Sequence, residues 1–130
     1  MHTTTKDAIF DEIALNDSHF SKAPQAFFQA WQQGVELIGA ELFGNGTREG
    51  LDHAMSKWDL RPNLEAIIDA IGVMSAGEKV FLAAMVSFYN VEEGGALLRR
   101  VGVQGLADLG GLDLKRRQII AALILNYTGW

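Results

Sequence analysis

The chain has no cysteine, only two prolines, and eleven lysines and arginines against sixteen aspartates and glutamates. Without cysteine, disulfides, thiolate catalysis, iron–sulfur clusters and the common structural zinc sites are excluded, and a reducing compartment such as the cytoplasm suits the composition. Long hydrophobic runs are missing as well. The longest, 80–86 and 119–125, have seven residues each, whereas crossing a bilayer takes about twenty. The opening stretch from Met1 to Asp17 sets acids among its apolar residues, so it lacks the basic region and unbroken apolar core of a secretory signal. The expectation is a soluble protein with no membrane partner. Asn45-Gly46-Thr47 and Asn126-Tyr127-Thr128 match the glycosylation pattern, and without an export signal they read as a turn and a helix end.

The scarce positive charge is unevenly placed. Residues 1–93 hold fourteen acids and six bases, while residues 94–130 hold two acids and five bases. With a net charge of −5 the whole molecule is a poor binder of phosphate backbones. The basic tail either meets an anionic partner or docks on the acidic body.

What is present is helical periodicity. At 130 residues and 48% hydrophobic content, the chain suits one domain, 1–130, that removes roughly two-thirds of its unfolded surface from water. Apolar residues recur every three or four positions and nowhere alternate as a half-buried strand requires, so the fold class is all-α, a bundle of six to eight helices. The spacing predicts a helix over 6–15 with Ile9, Phe10, Ile13 and Ala14 on one side, then a polar connection over 16–24. Pro24 suits the first turn of a second helix carrying Phe27, Trp31, Val35, Ile38 and Leu42, stopped at Gly44-Asn45-Gly46. Thr47 caps a short third helix and Pro62 opens a fourth, closed by Gly72. Ser75-Ala76-Gly77-Glu78 has the capping-box form. It starts a helix near 76–90 that is apolar nearly all round, as a fully buried central helix would be. Ala96 to Val101 makes a short helix and Val103 to Leu109 a turn or two. Asp113 caps the last helix. Glycines at 94, 95, 102, 105, 110 and 111 mark the loosest stretch.

No assembled chemistry is evident. The serines lack a nucleophile-elbow context, and adjacent acids such as Glu92 and Glu93 diverge by about 100° on a helix. Glu49, Asp52 and His53 offer too few ligands on one face, His2 and His19 are remote, and no Glu-x-x-His unit appears. The glycine-rich 44–50 stretch lacks the ending of a phosphate-binding loop. No catalytic residue, metal ligand or cofactor is assigned.

Two groups of residues remain as candidate sites. Arg99, Arg100, Lys115, Arg116 and Arg117 form a basic group. The last three sit in the first turn of a helix, where cations oppose the dipole by about 0.3–1 kcal/mol each, so something negative should face them. This chain's own acids, such as Glu92 and Glu93, are the simplest answer. The segment 103–125 also has something of a helix-turn-helix: small Ala107, turn glycine Gly111, then bases at the second helix start. Against that form, Arg117 falls where such units bury an apolar side chain, and the helix is apolar after Gln118.

The second group is aromatic. Phe27, Phe28 and Trp31 cover more than one side of their helix, and with Trp58 they suggest an interface or an apolar pocket. Their cover is another helix of this chain or a second subunit. Trp130 seals the bundle end if docked and is an interface anchor if exposed. The reading that results is a non-enzymatic cytoplasmic interaction, adaptor or regulatory protein, working on a protein partner or as a homodimer. The alternatives are a nucleic-acid-binding regulator using 103–125 and a helical protein for a small apolar ligand.

Overall fold

The computed structural model describes residues 5–130. His2 lies outside them. Every regular element is helical, six α-helices interspersed with four 3-10 helices, and the sole strand-like feature among the described residues is an isolated bridge between Phe43 and Pro62. The all-α class read from periodicity holds.

Helix α1 runs from Thr5 to Ile38 without a break, with Pro24 inside it. The polar connection expected over 16–24 is therefore helix, and the two helices expected on either side are one. Proline removes the bond its N–H would have made to the Phe20 carbonyl. Phe20 and Pro24 are both exposed, so water reaches that carbonyl. The polar composition of 16–22 reflects a helix that is exposed except at His19, rather than a loop. The helix also stops before the expected glycines. Gly39 has φ 121, open to glycine and strained for other residues, and donates to Val35 O at 2.8 Å. Leu42, expected on the helix, falls in the 3-10 turn Ala40–Leu42.

Helix α2, Arg48–Asp52, starts where expected: Thr47 Oγ1 accepts from Gly50 N at 2.9 Å. Ala54 and Trp58 lie beyond it, the latter in the 3-10 turn Lys57–Leu60. Helix α3, Leu64–Ala70, is followed by the 3-10 turn Ile71–Val73. Helix α4, Ala76–Tyr89, begins at Ser75, whose hydroxyl accepts from Glu78 N at 3.3 Å and donates to the Glu78 carboxylate at 2.8 Å. Its six residues from Phe81 to Val86 are all buried, while its first turn reaches the surface. This is the central helix anticipated from its all-round apolarity.

Asn90 alone separates α4 from α5, Val91–Arg100. Its N–H donates to Val86 O at 2.9 Å and its side chain accepts from Glu93 N at 3.0 Å, so one residue ends one helix and caps the next. Gly94 and Gly95 fall within α5. Far from being loose, Gly94 is buried at the crossing, where a Cβ would collide with the Ser87 backbone. After the 3-10 turn Leu106–Gly111, Asp113 accepts from Arg116 N at 2.9 Å and opens α6, Leu114–Asn126. Lys115 reaches Gln33 at 3.5 Å and His19 reaches Leu125 O at 2.9 Å, so α6 lies antiparallel along α1.

These elements close on one core. Trp31 is fully buried and its indole N–H donates to Leu60 O at 2.8 Å, joining α1 to the irregular 39–63 segment. Phe43, Ile67, Phe81, Met85 and Leu123 complete the same cluster from the other elements. Both asparagines of the glycosylation-like triplets have internal work. Asn45 accepts from Thr47 N and Oγ1 at 3.1 and 2.7 Å, and buried Asn126 donates to Ala122 O at 2.9 Å.

The two glycines of the α4–α5 hairpin make opposite predictions. Gly94→Ala drives a methyl into backbone and should cost about 1–3 kcal/mol. Gly77→Ala, in the first turn of α4 with open space around it, should be neutral or add about 0.4–1 kcal/mol. Urea denaturation of both variants checks the contrast, and equal effects would show that Gly94 is not a packing requirement.

Candidate functional site

The sequence places Phe27, Trp31 and Gly34 on one face of α1, where they are buried against the body. The same face continues toward the N-terminus at helical spacing through Phe20, Ile13 and Ile9. There it meets no other element among the described residues. Residues 5–18 are exposed without exception, because α6 ends beside His19. Fourteen residues at about 1.5 Å each make an overhang of about 21 Å. Ile9, Phe10, Ile13 and Phe20 are each at least half exposed on it. A helix of this length is marginal in water by itself. An apolar stripe that is core in one half of a helix and bare in the other is a surface awaiting cover.

A second apolar surface lies on the body between α4, α5, the 106–111 turn and α6. It is a groove of about 550 Å³ lined chiefly by Phe88, Leu98, Val103, Leu106, Leu109 and Ile124, with Arg99 on its wall. A smaller hollow shares Leu106, Leu109, Ile120 and Ile124 with it and brings in Arg117. Leu106 is 81% exposed and Ile124 57%, so the rim is itself apolar. The 106–111 wall is held by Asp108, whose carboxylate accepts from Gln104 N at 2.7 Å and Gly105 N at 3.2 Å. Those backbone N–H groups hold the Asp108 carboxyl below the usual carboxylate value.

The five basic residues divide between the last turn of α5 and the first turn of α6. Arg99 and Arg100 sit in the last turn of α5, opposite Glu92 and Glu93 in its first, which is the arrangement a helix dipole favours. Arg100 donates to Ile68 O at 3.0 Å, while the Arg99 guanidinium makes no hydrogen bond or ion pair among the described residues. The negative partner at the start of α6 is Asp113, which Arg116 meets at 2.6 Å, rather than Glu92 or Glu93. The Arg116 guanidinium also lies 5.8 Å from the centre of the Phe81 ring. Arg117 turns back to the carbonyls of Leu112, at 2.7 Å, and of Gly110. The segment 103–125 does not have helix-turn-helix form: its first element is 3-10, and Ile119, Ile120 and Leu123 bury one face of α6.

The aromatic group divides. Phe27, Phe28 and Trp31 are buried, and their cover is this chain's own. Trp130 is docked, its ring 4.8 Å from that of Trp31 and 5.0 Å from Tyr89, so it seals the bundle end. Lys57 lies among these rings, 5.2 Å from the centre of Trp130, and donates to Gly129 O at 2.6 Å. Burial there pushes its ammonium below the ordinary lysine value. Trp58 remains half exposed above it. The surface that is bare is thus not the one the sequence singled out at 27–31 but the stretch preceding it, read as a separate small helix. The signal was the registry of Ile9, Ile13 and Phe20 with Phe27, obscured by Pro24 and the polar residues between.

No three His, Asp or Glu side chains converge as a metal site among the described residues. Glu49 and His53 form only an exposed pair at 3.9 Å.

Two carboxyls are held below their ordinary value. Arg116 N–H, outweighing desolvation and aided by its guanidinium, holds Asp113 below 3.8, as Gln104 and Gly105 do Asp108. A carboxyl depressed on folding adds stability that is present above its unfolded value and lost as the pH falls through the folded one. The urea midpoint should therefore drop as pH is lowered below 3.8. Asp108→Asn should be less stable at neutral pH and flatter on acidification, and an unchanged acid slope would refute the assignment. No protein-family model matches this chain, and neither the curated proteins nor the solved structures offer a match.

Proposed function

We propose that this is a non-enzymatic interaction protein, working in a reducing compartment such as the cytoplasm, whose working surface is the first half of α1 and whose partner is another copy of itself. The observation that supports this reading is the continuity of one helix face. From Phe20 to Ile9 the stripe that forms the core at Phe27 and Trp31 runs on uncovered for about three turns. A homodimer covers it without a further component, and an isologous contact closes on itself. A lipid surface is a poorer fit, because Asp7, Asp11, Glu12 and Asp17 load the overhang with acid and anionic bilayers attract bases. Among the described residues no helix is long and apolar enough to cross a membrane. Nucleic acid is disfavoured because Arg100, Arg116 and Arg117 are engaged by this chain's own oxygen atoms.

A second reading, a helical protein for a small apolar ligand, draws on the groove beside α5, whose volume lies within the range of ligand sites. Heat stabilisation by an apolar small molecule would favour it.

Native mass spectrometry and light scattering test self-association directly. The chain should be found at twice its mass of 14.2 kDa, and the double variant Ile9→Glu, Ile13→Glu should run as a folded monomer. A wild-type chain that stays monomeric at every concentration, or a variant that keeps the same assembly, would overturn the reading.

A further inference from the structure

We infer that the groove between α5, the 106–111 turn and α6 takes the first half of α1 from a second copy of this chain, reciprocally across a twofold axis. The inference rests on the self-association proposed above and adds where the overhang goes.

Three features fit the two surfaces to one another. The first is apolar form. An amphipathic helix enters a groove through side chains spaced three, four and seven residues apart, and Ile9, Ile13 and Phe20 have spacings of four and seven. The groove offers about 550 Å³ lined chiefly by Phe88 and aliphatic side chains, with no helix of its own chain filling it.

The second is charge. At about 100° per residue, Glu12 and Asp17 border the apolar stripe on opposite sides. The groove carries Arg99 in one wall, and Arg117 lines the hollow continuous with it. Arg99 is the one cation of the basic group whose side chain has no hydrogen bond or ion pair among the described residues. The acidic N-terminal half and the basic tail noted in the sequence then meet between copies, and the complementary signs fix the register.

The third is closure. The groove runs to Ile124, one residue from the point where Leu125 holds His19 and the overhang leaves the body. The same two surfaces are used by both copies, so no unsatisfied end remains to grow into a filament.

The absence of cysteine makes the test clean. Phe10→Cys and Leu106→Cys, each made in a separate chain, are mixed and treated with a short bis-maleimide. Both positions are exposed, so neither change removes core packing. The expected result is a covalent dimer from the mixture and none from either variant alone. In parallel, Leu106→Glu, which sets an acid against Glu12 and Asp17, should raise the dimer dissociation constant by about tenfold or more. Arg99→Glu should weaken the dimer and reduce its salt dependence. Cross-linking of Ile13→Cys to itself, with no Phe10–Leu106 product and an unchanged constant for Leu106→Glu, would overturn the groove assignment while leaving self-association in place. A chain monomeric throughout would overturn both.

Discussion

The molecule depends on one helix face. Along α1, Phe27, Trp31 and Gly34 face inward, and the Trp31 indole bonded to Leu60 O is the point at which the helix grips the irregular 39–63 segment. A buried carbonyl without a donor costs about 1–3 kcal/mol, so that bond specifies how the segment folds back as well as stabilising it. Trp130 closes on the same indole from the other end of the chain. Everything packed against α1 takes its position from this face, and the overhang exists because the face is longer than the body that covers it.

The charges follow from the same geometry. Bases that look like a binding patch in sequence are mostly placed for internal reasons: Arg99 and Arg100 in the last turn of α5, Arg116 on its own N-cap, Arg117 on carbonyls of the preceding turn. Cations in the first turn of α6 oppose its dipole, and Asp113 with those carbonyls offsets the cost. Of the five, Arg99 keeps its guanidinium free among the described residues and lies on the wall of the apolar groove.

Much of the fold was legible because helix signals are local. Thr47, Ser75, Asn90 and Asp113 all accept at helix starts, and three of those starts follow from the sequence by capping chemistry alone. The all-round apolarity of 80–86 likewise locates the buried centre of α4. What was not legible was long-range or depended on solvent. Pro24 reads as a helix start because proline suits a first turn, yet it is tolerated inside α1 where its lost bond faces water. Gly94 reads as a turn residue, but it is small because Ser87 lies against it, and only the α4–α5 crossing reveals that. The candidate surface was hidden for the same reason: the triplet at 126–128 reads as a helix end, but nothing in a sequence says that this end lies opposite His19 and leaves Ile9, Phe10, Ile13, Leu15 and Phe20 bare.

Hydrogen exchange followed by mass spectrometry at low and high protein concentration tests this account most directly. The prediction is that amides of 23–38 are protected equally at both, being held by the body, whereas those of 5–20 gain protection as concentration rises, being covered by a second copy. Exchange in 5–20 that is independent of concentration, fast or slow, would contradict it.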